Sequence, residues 1–370
     1  MHNQAFLILE SGEIYTGKWH GGRAQVGDHA SGRAGEVVFN TSHSGYEEIA
    51  TDPSYFSQIV VMTAPMQGNY GVDAEVWESR QLWIEGFVSL QIQNSSRDSS
   101  WIRRLNENQI PCVSEIDTRA IALRLRAGGT PWGALVQAPS VDLAREKALS
   151  LIAEKKKIEK DWVWLSSRKQ VEKRKGLAPK GPKIAVLDFG CKENILRELS
   201  KLSSELVLFP SRASVREILA EKPDGLMLTN GPGDPSAVQI APGTVKELIG
   251  QIPLFGICMG HQILGLALGA KTYKLKFGHR GSNHPIQDRI LNRVYMSSQN
   301  HGYAVEMKTL PPDVLVTHTN LNDQTVAGFY SETRNCLGIQ YHPESHPGPH
   351  DATKLFDFFV TKMIQKRPFQ

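Results

Sequence analysis

Cysteine is scarce in this chain: four residues in 370, Cys112, Cys191, Cys258 and Cys336, with no CxxC pair among them. That argues against a disulfide framework and marks the four as thiols of a reducing cytosol. No apolar run approaches the roughly 18 residues that a membrane span needs. The first ten residues, Met1 to Glu10, lack both a basic segment and a long apolar stretch. Neither a signal peptide nor a membrane association is therefore expected, and the expected location is cytoplasmic. No GxxxxGK[ST] and no GxGxxG occurs, so the chain is not expected to hold its own nucleotide. Charge of one sign is also in short supply. The formal balance is +4, much of it in Lys155-Lys156-Lys157, Lys160, Arg168-Lys169 and Lys173-Arg174-Lys175. No nucleic-acid-reading motif accompanies that stretch, which reads as a solvated connector. Internal repeats, low-complexity segments and coiled-coil heptads are missing too. What is present, 40% apolar and 22% charged residues, describes an ordinary globular chain of two or three domains.

Residues 1–137 read as a mixed, strand-rich α/β domain. Phe6–Leu9 and Glu13–Tyr15 flank a Ser11-Gly12 turn and predict a hairpin. Glu36–Phe39, Gln58–Met62 and Trp83–Val88 read as further strands, Ser99–Asn108 as a helix, and Asp117 as the N-cap of another. Residues 138–182 are charged and end in Gly176, Pro179, Gly181 and Pro182; apart from a short amphipathic helix over Val141–Ala153 they read as a linker. Residues 183–370 alternate between two patterns. Apolar strands at Lys183–Leu187, Leu206–Phe209, Gly225–Leu228 and Leu254–Ile257 are separated by helices at Glu193–Leu202, Ser214–Glu221 and Thr244–Ile249. This predicts a mostly parallel central sheet with flanking helices. Strands at Val294–Met296, Val314–Thr317, Val326–Phe329 and Leu337–Gln340, with a helix near Ala352–Ile364, complete it.

In such a sheet, ligands sit beyond the carboxyl ends of the strands. The apolar run Ile252–Ile257 meets Cys258 head-on, and a helical pattern follows at once. Gly256 and Gly260, two residues either side of it, suit a strand-to-helix turn too tight for side chains. Such a turn exposes the thiol at the sheet's end, facing a helix N-terminus that favours the thiolate. A small core cysteine between two turn glycines is the plainer alternative. After Leu228 comes Thr229-Asn230-Gly231-Pro232-Gly233-Asp234-Pro235, a rigid loop whose bare N–H groups suit an oxyanion, with an ordinary turn as the alternative. His342-Pro343-Glu344 follows the last strand and offers a base with an orienting carboxylate. Pro343, Pro347 and Pro349 break any helix on which His342, His346 and His350 would share a metal, so no metal site is expected. Ser298-Gln299-Asn300-His301-Gly302-Tyr303 offers groups that clamp a small amino acid. Cys112, Cys191 and Cys336 lack the paired glycines and read as structural.

Together these segments resemble the class I (triad) glutamine amidotransferases, through Asn230–Pro235, Gly256-Ile-Cys-Met-Gly-His-Gln262 and His342-Pro343-Glu344. The N-terminal half narrows the resemblance to the small subunits of carbamoyl-phosphate synthetase. The matching pieces are Val38–Ser42, Gly45-Tyr46, Thr51–Tyr55, Gly68–Gly71 and Ile116–Arg119, with Phe277–Pro285 and Pro347–Asp351 in the same picture. The resemblance spans nearly the whole chain, weakens across 138–182, and departs mildly at His43, Ser44, Met259 and Cys191.

The resemblance implies glutamine hydrolysis. Cys258 would attack the γ-carboxamide, His342 oriented by Glu344 would move the proton, and a γ-glutamyl thioester would form and be hydrolysed. It implies an oxyanion held by the N–H groups of Met259 and Gly231. It implies glutamine contacts from Ser54, Gly231, Gly233, Met259, Gln262, Asn300, Gly302 and Tyr303, with Ser54 supplied by the N-terminal domain. Ammonia would pass to a large synthetase subunit that holds ATP and Mg and makes carbamoyl phosphate from bicarbonate for arginine and pyrimidine biosynthesis. The N-terminal domain would be the docking module, and no cofactor is expected in this chain. The alternatives are another class I amidotransferase subunit, which would lack Thr51–Tyr55, a catalytically silent activating subunit, and a cysteine peptidase.

Overall fold

The Ser11-Gly12 turn does what its sequence predicts: Gly12 adopts φ +102, and β1 (Gln4–Leu9) folds back antiparallel on β2 (Ile14–Gly21). The structure, a computed structural model, describes residues 4–22, 31–93, 101–158 and 160–369. The chain divides into two units, residues 1–159 and 160–370.

In the first unit the hairpin is followed by β3 (Ser31–Asn40), α1 (Tyr46–Thr51), β4 (Gln58–Met62), β5 (Met66–Gln67), β6 (Gly86–Val88) and β7 (Gln91–Ile92). Then come α2 (Trp101–Glu107), β8 (Cys112–Ser114), α3 (Thr118–Gly128) and β9 (Trp132–Gln137). Seven strands close a barrel in the order β1-β2-β8-β6-β4-β3-β9, with β9 returning to β1. Closure leaves the barrel without an open edge. Asp117 caps α3 as expected, accepting from Ala120 N at 2.8 Å. The strand expected over Trp83–Val88 contracts to Gly86–Val88, because the N–H groups of Trp83 and Glu85 donate to Ala50 O and Gln58 O. Of the helix expected over Ser99–Asn108, α2 covers the middle; Ser99 and Ser100 lie outside the described residues.

The stretch expected to be a linker is largely folded. α4 (Val141–Lys155), capped by Ser140, buries Ala144, Ala148 and Ile152 in the same apolar cluster as Phe6, Ile8 and Val136. In the second unit, α5 (Trp162–Ser166) is followed by β10 (Glu172–Lys175), which pairs antiparallel with the strand Glu205–Pro210. The basic run finds acidic partners distant in sequence: Lys155 with Glu85, Lys173 with Glu221, and Arg174 with Glu193.

The rest of the second unit runs β11 (Lys183–Asp188), α6 (Glu193–Leu202), β12 (Glu205–Pro210), α7 (Val215–Ala220), β13 (Gly225–Leu228) and α8 (Ala241–Leu248). It continues with β14 (Leu254–Ile257), α9 (Met259–Ala267), β15 (Thr272–Asp288), β16 (Arg293–Val305), β17 (Leu315–Asn320), β18 (Val326–Ser331), β19 (Cys336–Ile339) and α10 (Lys354–Asp357). One sheet takes the order β10-β12-β11-β13-β14-β19-β18-β17-β15-β16. Its five central strands, β12-β11-β13-β14-β19, are the parallel set that the alternating sequence predicts, and antiparallel strands extend it on both sides. Parallel strands are covered on both faces, which explains their unbroken apolar runs. Along β11, Ala185 and Leu187 enter one cluster with Phe189 and Ile263, while Ile184 and Val186 enter another with Phe255 and Phe359. Each such fully buried phenylalanine contributes about 1.5–3 kcal/mol. The expected C-terminal helix is a short α10 continued by a π-helical turn over Phe358–Ile364. Among the described residues, no helix is long and apolar enough to cross a membrane.

Candidate active site

β14 runs into α9 with only Cys258 between them, at φ 54 and ψ −103. A non-glycine residue held there stores strain of order 1–3 kcal/mol. The two flanking glycines make the turn possible. A Cβ on Gly256 would lie 2.5 Å from Gly260 O, and one on Gly260 would lie 2.2 Å from Leu228 O. The elbow is pinned from both sides: Cys258 N donates to Ile339 O at 2.8 Å, and Gly260 N to Thr229 O at 2.9 Å. The thiol does stand at the strand's end, but it is buried, 2% exposed, and donates to the carbonyl of Asn300 on β16 at 3.5 Å.

His342 and Glu344 lie just past β19. The backbone bridges Ser298 of β16, with His342 N donating to Ser298 O at 2.9 Å. The ring's Nδ1–H donates to Glu344 Oε1 at 2.7 Å, which leaves Nε2 buried and, among the described residues, without a partner. Burial opposes the imidazolium, but the Glu344 charge, the nearby Cys258 and the hydrogen bond to Glu344 outweigh it. The His342 pKa is thereby held above its ordinary value. Burial likewise opposes the Glu344 carboxylate. The charges of Lys192 and His342 prevail and hold its pKa below the usual carboxylate range. A charged acceptor fixes the tautomer, so Nε2 is the nitrogen free to move a proton.

Lys192 and Asn194 were not legible as site residues. Lys192 Nζ lies 3.1 Å from Glu344 Oε1 and donates to Ser345 O at 2.5 Å, with side-chain exposures of 2% and 0% for the Lys192–Glu344 pair. The Lys192 backbone N–H donates to Asn230 Oδ1 at 3.0 Å, and the Asn194 amide donates to Glu344 O. One turn at the start of α6 therefore holds both the acid of the pair and the loop after β13. A signal did exist: Lys192 sits at the helix N-cap without a side-chain cap bond, where a positive charge opposes the helix dipole. Breaking this pair leaves a buried carboxylate short of its cation. Lys192→Met should therefore lower stability by about 3 kcal/mol in urea unfolding at neutral pH. The Glu344 contribution is complete above its unfolded pKa and fades as pH falls through the depressed folded value. Without Lys192 that folded value rises, so acid unfolding should begin at a higher pH. An unchanged acid midpoint would count against this role.

The loop after β13 is packed tightly against the end of β11. A Cβ on Gly231 would lie 2.2 Å from Phe189 O, and Gly233 adopts φ +89. Among the described residues, neither Gly231 N–H nor Met259 N–H donates to a backbone carbonyl outside its own element. Met259 opens α9, where first-turn N–H groups have no intrahelical partner. Gln262, one turn along α9, donates its amide to Tyr303 O at 2.8 Å and to Gln340 Oε1 at 3.1 Å, tying β16 to the helix. Asn300, Gly302 and Tyr303 follow one another along β16, and Asn300 lies opposite Arg280 of β15. Ser54 belongs to the first unit, where its N–H donates to Asp52 Oδ1 at 2.8 Å in the turn Pro53–Tyr55. The other thiols are inert by environment. Burial pushes Cys112 and Cys191 well up and raises Cys336 to about 12.

Residues 185–362 match the family described as glutamine amidotransferase class-I, and residues 7–135 match the CPSase domain of the carbamoyl-phosphate synthase small chain. The carbamoyl phosphate synthase small chain of Porphyra purpurea is 44% identical, over 98% of this chain and 97% of its own length. That of Symbiobacterium thermophilum is 41% identical, over 95% and 96% respectively. The chloroplastic small chain of Arabidopsis thaliana is 42% identical, over 98% of this chain and 86% of its own.

Proposed function

Because the chain belongs to the carbamoyl phosphate synthase small-chain family and is its glutamine-hydrolysing subunit, we propose that it works through a Cys258–His342–Glu344 triad and a γ-glutamyl thioester. The observation that carries this reading is the His342–Glu344 pair at 2.7 Å, with Nε2 left unengaged and Cys258 among the groups acting on the ring. Cys258 passes its thiol proton to His342 Nε2 as Sγ attacks the γ-carboxamide carbon of glutamine. The oxyanion forms against the N–H groups of Met259 and Gly231, and the proton held on His342 Nε2 passes to the departing ammonia. Water, deprotonated by the same nitrogen, then attacks the thioester carbon. Glutamate leaves and the thiolate returns. Each oxyanion donor is worth about 3 kcal/mol in comparable sites.

Glutamine contacts are assigned to Gly231, Gly233, Met259, Gln262, Asn300, Gly302 and Tyr303, which follow β13, lie in α9 just after β14, or sit on β16. Ser54 is carried by the resemblance alone. Ammonia released in bulk water is lost to protonation, so a productive glutaminase hands it on within protein. The recipient in this reading is a large subunit that uses ATP and Mg to make carbamoyl phosphate from bicarbonate, feeding arginine and pyrimidine synthesis. The test is reconstitution with that large chain, bicarbonate and MgATP. Glutamine should support carbamoyl phosphate formation only when this chain is present, while ammonium should serve without it. The same glutamine-dependent rate with and without this chain would refute the partnership.

A further inference from the structure

The oxyanion loop rests on a segment with no assigned part in the chemistry. α5 lies near the start of the second unit, and its first residue, Trp162, backs Gly233 directly. A Cβ on Gly233 would meet Trp162 Cε3 at 3.3 Å and Cδ2 at 3.6 Å, so ring atoms support a glycine held at φ +89. At the other end of α5, Ser166 donates its hydroxyl to Phe189 O at 3.1 Å. Phe189 O is the atom that a Cβ on Gly231 would meet, at 2.2 Å. One short helix thus bears on both glycines of the loop. A helix of five residues has little stability of its own, so surrounding contacts must hold it. Asp161 accepts from Trp164 N at 3.0 Å and pairs with Arg212 at 2.9 Å. Val163 is buried beside Phe189, and the Trp164 ring is stacked with Lys169 Nζ at 3.7 Å and Arg212 Cζ at 4.5 Å.

We propose that α5 braces the oxyanion loop and that Trp162 is its positioning residue, keeping Gly231 N–H aimed at the tetrahedral oxyanion without touching substrate. The inference rests on the triad reading above. Truncating Trp162 removes the surface beneath Gly233 and lets the loop drift. A misplacement near 1 Å costs on the order of 100-fold in rate. The donor acts on the tetrahedral state, so the loss falls mainly on kcat, with a smaller rise in KM because Gly231 and Gly233 are also assigned to glutamine.

The test compares Trp162→Ala, Trp162→Phe and Trp164→Ala in the full chain. The readouts are kcat, KM and inhibition by the γ-aldehyde analogue of glutamine. The Cys258 thiol adds to that aldehyde carbonyl and forms a tetrahedral hemithioacetal, whose oxygen occupies the same hole. Trp162→Ala should lower kcat by about 10- to 100-fold, raise KM by a much smaller factor, and weaken the aldehyde in parallel with kcat. Trp162→Phe should retain most activity. Trp164→Ala strips an aromatic ring from the same helix on its cation-stacked side, and should lower the melting temperature while keeping kcat. Unchanged kcat and aldehyde affinity in Trp162→Ala, or an equal loss in Trp164→Ala, would overturn the proposal. If Trp162→Ala does not fold, Trp162→Leu carries the same readouts. Failure of the triad reading would look different: the unmodified chain would lack glutaminase activity, whatever stands at position 162.

Discussion

Cys258→Ser should leave a folded chain that no longer releases ammonia from glutamine. The hydroxyl is nearly isosteric and can still donate to the Asn300 carbonyl, as the thiol does at 3.5 Å. Stability should therefore move by less than about 1 kcal/mol. The chemistry should fall much further. Sulfur is the stronger nucleophile and the better leaving group from the tetrahedral state, whereas a hydroxyl must be activated more fully in the transition state. Loss of a nucleophile that acts as a unit with its base costs on the order of 10⁶ in well-studied hydrolases. Here a loss of at least about 10³-fold in kcat, measured as glutamate formation, is expected. Ammonium-dependent synthesis by the assembled enzyme should survive. Glutaminase activity of the serine variant near that of the unmodified chain would exclude Cys258 as the nucleophile.

Gly260→Ala should do comparable damage by a different route. In a generic helix the change would add up to about 1 kcal/mol of stability. At the elbow the new methyl would lie 2.2 Å from Leu228 O and 2.6 Å from Leu228 C, both backbone atoms of β13. Neither can swing aside, so the helix must lift off the sheet. A cost of about 3 kcal/mol or more is expected, and with it a melting temperature lower by roughly 10 °C. Activity should collapse too, because Met259 N–H and Cys258 move with the helix start. Gly243→Ala in α8 is the matched control: a Cβ there meets nothing within 4 Å, so the same substitution should be neutral or stabilising. Equal melting temperatures for the two variants would contradict the packing argument.

The parallel core was legible because strands covered on both faces must be apolar throughout, and β11, β13 and β14 are. The elbow was legible because its two glycines answer a backbone contact that sequence spacing reveals. Burial of the Cys258 thiol was not, since the group that covers it, the Asn300 carbonyl, lies 42 residues away. β15 escaped notice for a related reason. No strand was assigned over Phe277-Gly278-His279-Arg280-Gly281-Ser282-Asn283, whose two glycines interrupt any apolar alternation, yet the strand runs through it by shifting register twice against β16. The basic stretch 155–175 read as a free connector because its acidic partners, Glu85, Glu193 and Glu221 among them, are remote in sequence. Lys192 was overlooked on the same grounds: its partner Glu344 lies on the far side of the domain's sequence. Local chemistry pointed to Cys258 and His342 as the proposed nucleophile and base. The groups that hold them in place come from tertiary structure.

The most direct test of the account is to quench the chain in acid during steady turnover of isotopically labelled glutamine and to map the label by mass spectrometry. A glutamyl group on the peptide carrying Cys258, absent from Cys258→Ser and accumulating when thioester hydrolysis is slowed, is the predicted result. Turnover with no covalent label, or with label on Cys112, Cys191 or Cys336 instead, would contradict it.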